Sequence, residues 1–171
     1  MIKEGMIEDG DQLSKWNTQW EVVTDQVAGG SSTCAIQIIP QGAEGSAKSL
    51  QLSGKVTTSF AFGFAGVSLY LAPPGAEAAD VSRYKEIQFY AKGDGKQYRV
   101  VFATLAVTDF DDFSHLFTAR EDWQLVKIPL AELRQMGFGK RVKWTGRDVT
   151  SLQLTTFGAP YKSFLLVIDE V

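Results

Sequence analysis

The sequence is poorest in the residues that carry metal and redox chemistry. Its 171 residues include one cysteine, Cys34, and one histidine, His115. A single thiol forms no internal disulfide, no CxxC redox pair and no cysteine-rich zinc cluster, and a single imidazole excludes the HExxH pattern of metalloproteases. Long apolar runs are missing too. The strongest, near Phe164 to Ile168, is far shorter than the roughly 20 residues that span a bilayer, so no membrane partner is expected. Nor is there an excess of basic charge. Seventeen Lys+Arg against 20 Asp+Glu give a formal charge of −3, with the signs interspersed, which argues against nucleic acid as a partner. The start, Met1 to Met6, lacks an apolar segment of signal-peptide length. The chain is therefore expected to be cytoplasmic or a piece of a longer protein. The abrupt stop of Ile168-Asp169-Glu170-Val171 after a strand-like run favours the second.

What is present fits one compact domain over residues 1–171, since 44% of the residues are hydrophobic and 22% charged. A chain of this length hides about 70% of its unfolded surface and needs no metal or disulfide staple. Short alternating segments separated by Gly, Pro, Asp and Ser clusters predict an all-β chain. Strands are expected at Gln19–Thr24, Cys34–Ile39, Lys48–Gly54, Val67–Leu71, Glu86–Lys92, Gln97–Thr104, Phe113–Thr118, Gln124–Ile128, Ser151–Thr156 and Ser163–Asp169. Ten strands at this spacing predict an antiparallel two-sheet β-sandwich. Gly93-Asp94-Gly95 reads as a hairpin turn that makes the Glu86 and Gln97 strands neighbours. The only helical candidate is short, Leu130 to Gln135 after Pro129, where a turn or two is expected.

Catalysis needs a nucleophile with its base, or two carboxylates across a cleft, and the sequence carries no signature of either. The chain is therefore not expected to be an enzyme. His115 shares a strand face with Phe113 and Phe117 and reads as a partly buried histidine with one satisfied nitrogen. Cys34 reads as a small buried hydrophobe. Asp109, Asp111 and Asp112 lack the spacing of an EF-hand and read as a solvated loop, with a ligand contact at the sandwich rim as the alternative. If Ile87, Phe89, Tyr98, Val100, Phe102, Leu152 and Leu154 point inward, then Gln88, Tyr90, Arg99, Gln153 and Thr155 point out. Ser68 and Tyr70 join them if Val67, Leu69 and Leu71 are core. Tyrosines that stack on sugar rings, with Arg and Gln groups that bond paired hydroxyls, would form a glycan platform. The plain alternative is that any outward sheet face carries polar residues. Trp16 and Trp144 read as loop aromatics at the sandwich ends.

The order of signals carries a resemblance. Trp20 is followed by Val22, Asp25 and Gly29-Gly30-Ser31-Ser32. Then come Gly63-Phe64-Ala65-Gly66-Val67, the stretch YKEIQFYAKGD from Tyr84 to Asp94, Trp123 with Ile128-Pro129, and the closing FLLVIDEV. From about Ile7 to Val171 this resembles the complex I intermediate-associated protein 30 family and family 11-type carbohydrate-binding modules. The resemblance implies a galactose-binding-like jelly roll with Trp20, Phe89, Tyr98, Phe102, Phe117, Trp123, Leu154 and Phe164 in its core. It implies a structural calcium held by Asp169 with Glu8 or Asp9, where the alternative is that these carboxylates only charge the sheet edge. It implies a β-glucan-like polysaccharide on a concave sheet face formed by Tyr70, Gln88, Tyr90, Arg99 and Gln153, with an appended catalytic domain as a further partner. The chain would then be extracellular if its parent is a secreted glycan-active protein. The alternative function is an assembly-factor-like domain that holds another protein.

Overall fold

The computed structural model describes residues 5–8, 14–15 and 17–171. All ten expected segments are strands: β1 (Trp20–Thr24), β2 (Thr33–Pro40), β3 (Lys48–Val56), β4 (Ala65–Tyr70), β5 (Glu86–Gly93), β6 (Gln97–Thr104), β7 (Phe113–Thr118), β8 (Gln124–Pro129), β9 (Val149–Thr156) and β10 (Tyr161–Asp169). They form two five-stranded sheets, β1-β4-β9-β6-β7 and β2-β3-β10-β5-β8, in which every neighbouring pair is antiparallel. The protein is an all-β jelly-roll sandwich. The period-2 pattern explains the layering, because alternate residues of each strand face the opposing sheet. Val67, Leu69, Val100, Leu152 and Leu154 of the first sheet meet Leu50, Leu52, Phe89, Leu166 and Ile168 of the second in one buried cluster.

Aromatic rings join the layers. Phe89 of β5 meets Phe117 of β7 edge-on at 5.1 Å, Phe117 stacks with Tyr98 at 5.9 Å, and Tyr98 meets Phe164 of β10 edge-on at 6.4 Å. Seven of the eight expected core residues are buried. Trp123 is the exception. It precedes β8, is only half-buried, and carries the Lys92 ammonium 4.9 Å over its ring.

One local expectation is corrected. Gly93-Asp94-Gly95 is no hairpin, because β5 and β6 lie in different sheets. The backbone leaving β5 bonds the β7–β8 connection instead, with Gly93 N donating to Arg120 O and Gly95 N to Ala119 O. A Cβ at Gly93 would stand 2.4 Å from Leu165 O, so only glycine allows this close crossing. Asp94 pins the crossing by accepting from Tyr98 Oη at 3.0 Å and from Leu165 N at 2.8 Å. Burial raises the pKa of this carboxyl, but hydrogen bonds from Lys96, Leu165 and Tyr98 outweigh it and the net shift is downward. The turn or two expected within Leu130–Gln135 is a single 3-10 turn, Leu130–Glu132. Leu133 then turns extended and Arg134 bridges Ser114. No helix among the described residues is long and apolar enough to cross a membrane.

Candidate functional site

Residues directly opposed across a sheet share a face, so register defines the outer surface of the first sheet. Three rows cross it. Tyr70 lies opposite Ser151. Ser68, Gln153, Val101 and Ser114 form the middle row, and Gly66, Thr155, Arg99 and Leu116 the third. Exposure falls along the rows. Tyr70 is 45% exposed, whereas Val101 is 3% and Thr155 1% exposed. At the open end a pocket of about 700 Å³ is lined by Asn17, Thr18, Glu21, Ser68, Tyr70 and Ser151. Tyr70 is fixed at its side chain and its backbone, since its hydroxyl donates to Glu77 O at 3.0 Å and its backbone carbonyl accepts from Thr18 Oγ1 at 2.8 Å.

Two connecting segments close the other end. One enters β4 and carries Phe62, and the other leaves the 3-10 turn and carries Met136 and Phe138. Phe62 and Phe138 stack at 6.2 Å with planes 19° apart. Arg99 Nη1 donates to Met136 Sδ at 2.9 Å. The Met136 segment has no regular structure of its own, so its shape comes from Asp111. Asp111 is almost fully buried and accepts from Met136 N at 2.8 Å, Gly137 N at 2.9 Å and Gly139 N at 3.1 Å. Asp109 adds Lys140 N at 2.6 Å. This corrects the reading of Asp109 and Asp111 as members of a solvated loop, because their carboxylates replace the missing backbone ladder of the next segment.

Charge is balanced beneath the closed end. Burial lowers the pKa of Arg99, and Asp112 and Asp111 counter it. Burial pushes the Asp112 carboxyl up to about 6, with Arg99 acting to lower it and Asp109 and Asp111 to raise it. Arg99 Nε and Thr155 Oγ1 are both buried with no hydrogen-bond partner among the described residues.

The structure brings Tyr70, Arg99 and Gln153 of the expected site together, with Ser68 and Thr155. It separates Gln88 and Tyr90 from them. Those two belong to β5, so they point out from the opposite side of the sandwich. Gln88 Nε2 donates there to Glu86. Tyr90 lies opposite Asp169 in the ladder, and burial together with Glu44 and Glu170 raises its pKa. Phe62, Met136 and Phe138 escaped the sequence analysis, because loop residues carry no period that assigns them a face.

The chain ends do meet. Ile7 N and Glu8 N donate to Val171 O, and Val171 N donates to Glu8 O. Glu8 and Asp169 are both fully buried, and Asp9 and Trp16 lie outside the described residues. Asp169 Oδ2 accepts from Ala43 N at 2.8 Å and Oδ1 from Glu170 N at 2.9 Å. Burial is the main cause of its raised pKa. The Ser46 side chain adds a further hydrogen bond to the Asp169 carboxylate. Two buried carboxylates are the hard oxygen donors that calcium takes. Among the described residues no three His, Cys, Asp or Glu side chains form a metal-ligating group. His115 sits at the sheet edge with Nδ1 2.8 Å from Leu116 O and Nε2 3.5 Å from Glu132. The Cys34 thiol, pushed up to about 11 by burial, packs against the core.

Solved structures share this fold. A family 11 carbohydrate-binding module of cellulosomal cellulase Lic26A-Cel5E of Clostridium thermocellum superposes with a TM-score of 0.74 at 20% identity, covering 99% of this chain and 93% of that one. A family 11 module from Clostridium thermocellum in complex with a β-1,3-1,4-mixed-linked tetrasaccharide gives 0.72 at 19% identity over 96% and 91%. A family 30 carbohydrate-binding module gives 0.65 at 18% identity over 97% and 95%. At such identities the likeness establishes the architecture. No curated protein matches the chain. Residues 10–168 match the family described as Complex I intermediate-associated protein 30, and the chain belongs to that family.

Proposed function

We propose that this domain is a non-catalytic carbohydrate-binding module that holds a β-glucan-like polysaccharide on the outer face of β1-β4-β9-β6-β7. The observation that carries this reading is the alignment of Tyr70, Gln153 and Arg99 on three adjacent strands beside an open pocket. A module of the same fold holding a mixed-linked tetrasaccharide supports it. Tyr70 stacks on a sugar ring, and Gln153 and Arg99 bond ring hydroxyls. In a larger protein the domain would direct an attached catalytic domain to its substrate.

Affinity electrophoresis in gels containing barley β-glucan, lichenan, xyloglucan or hydroxyethylcellulose tests the proposal. Tyr70→Ala is expected to weaken binding by about 1 to 2 kcal/mol through lost stacking and buried area. Tyr90→Ala, on the opposite face, is expected to change nothing. No retardation in any gel would defeat the reading.

Family membership supports a second reading, a protein-interaction domain of the assembly-factor type. The observation favouring it is the exposed apolar group of Phe62, Phe138 and Met136. Retardation lost on Tyr70→Ala separates the two, since that residue lies outside the group.

The proposal includes a structural calcium near the chain ends, held by Asp169 with Glu8 or Asp9 and taking no part in sugar contact. An ion bound only by the folded chain raises the melting temperature with its concentration. Superimposable melts of metal-stripped protein in chelator and in excess calcium would remove this part of the proposal.

A further inference from the structure

The pocket beside Tyr70 has one charged wall. Every described residue that lines it is neutral except Glu21. Strand alternation puts Glu21 there, because Trp20 before it is buried in the core and the next side chain turns outward. The ladder sets Glu21 directly opposite Ser68, and Ser68 opposite Gln153, so the three form one row across β1, β4 and β9. Tyr70 stands two residues from Ser68 on the same face of β4, diagonal to Glu21. Diagonal neighbours lie about 7 to 8 Å apart, within reach of long and aromatic side chains. A sugar ring on Tyr70 therefore has a carboxylate on one flank and Ser151 of β9 on the other.

Glu21 is exposed to the pocket, and no hydrogen bond or ion pair with another described residue holds its side chain. The hydroxyls nearest it in the fold are committed elsewhere, with Thr18 Oγ1 donating to Tyr70 O and Tyr70 Oη to Glu77 O. An ionised carboxylate only accepts, and bonds it accepts are about twice as strong as those between neutral groups. Its two oxygens can take protons from two adjacent hydroxyls of one ring. A free hydroxyl meets that demand. An ether has no proton to give, and a carboxylate or sulfate on the sugar brings a like charge against Glu21.

From the single carboxylate in this pocket and its row with Ser68 and Gln153 we infer that Glu21 determines specificity: it takes paired free hydroxyls of a neutral glucan ring held on Tyr70 and turns away glycans that are acidic at that ring. This inference rests on the carbohydrate-binding reading and narrows its substrate class. The competing role for a charge on β1 is to guard the sheet edge against pairing with another chain.

Affinity electrophoresis of the unmodified protein, Glu21→Gln and Glu121→Gln tests it, in gels of barley β-glucan, hydroxyethylcellulose and carboxymethylcellulose. The last two share a backbone and differ in charge. Glu121 is exposed on the connection between β7 and β8, and β7 is the sheet edge opposite β1, so Glu121→Gln makes the same change of net charge away from the pocket. Glu21→Gln is expected to weaken binding to barley β-glucan about 3- to 10-fold, the difference between charge-assisted and neutral hydrogen bonds. It is also expected to shrink the preference for the neutral over the carboxymethylated polymer roughly 10-fold, while Glu121→Gln changes neither. Equal effects of the two variants would assign the preference to net charge and overturn the inference. So would unchanged affinity of Glu21→Gln, and size-exclusion chromatography showing that this variant self-associates would then identify the edge-guarding role. Equal retardation of the unmodified protein by both cellulose derivatives would overturn the inference and leave carbohydrate binding intact, whereas no retardation in any gel would overturn both.

Discussion

Phe89→Ala is expected to destabilise the fold by about 3 to 5 kcal/mol, the range for emptying a buried aromatic site. Phe89 is wholly buried and edges onto Phe117 from the opposite sheet. The loss is therefore felt in both layers, and neither can collapse into the gap without breaking its own ladder. Since small domains hold only about 5 to 15 kcal/mol in total, such a change takes a large share of the stability. Urea denaturation monitored by tryptophan fluorescence would show the midpoint shift, with Phe62→Ala as the contrast. Phe62 is 68% exposed, and its loss is expected to move the midpoint little.

Asp111→Ala is expected to cost about 3 kcal/mol and to abolish glycan retardation. One carboxylate organises three backbone N–H groups across the segment that carries Met136 and Phe138. Bonds to a charged acceptor are worth roughly 1.5 to 3 kcal/mol each, and some are recovered from water once the segment loosens. Asparagine is not expected to rescue the variant. All the groups facing Asp111 are donors, and the amide would turn a fourth donor toward them. Thermal melts and affinity gels on the alanine and asparagine variants would show whether the segment and the site fail together. A binding-competent, stable Asp111→Ala protein would mean that the Met136 segment is shaped by other contacts.

How much of this was legible in the sequence follows from what a period-2 pattern encodes. It fixes which side chains share a face of one strand, and β6 and β7 ran from Gln97 to Thr104 and from Phe113 to Thr118 as expected. It says nothing about which strand lies alongside. Gly93-Asp94-Gly95 has hairpin composition, yet the backbone after β5 bonds Arg120 and Ala119 and leaves β6 to pair with β7 and β9. Inward and outward assignments therefore survived, and the site built from them was split. Tyr70, Arg99 and Gln153 stayed together while Gln88 and Tyr90 moved to the far side. The closing segments were illegible for a different reason. Asp111 shapes its target from 25 to 28 residues away, and a long-range tie of that kind leaves no local pattern to read.

The strand order also bears on how the chain is made. β9 lies between β4 and β6, and β10 lies between β3 and β5, so the last two strands fill the middle of both sheets. A nascent chain that has emerged only as far as β8 consists of half-sheets with raw inner edges and apolar faces, and no local hairpin among β4, β5 and β6 can hide them. Such half-sheets are prone to stick to one another until β9 and β10 have emerged. The same order makes the connection before β9 a natural place to divide the protein. A fragment through β8 and a peptide carrying β9 and β10 would each be unfolded alone, and mixing them would complete both layers at once.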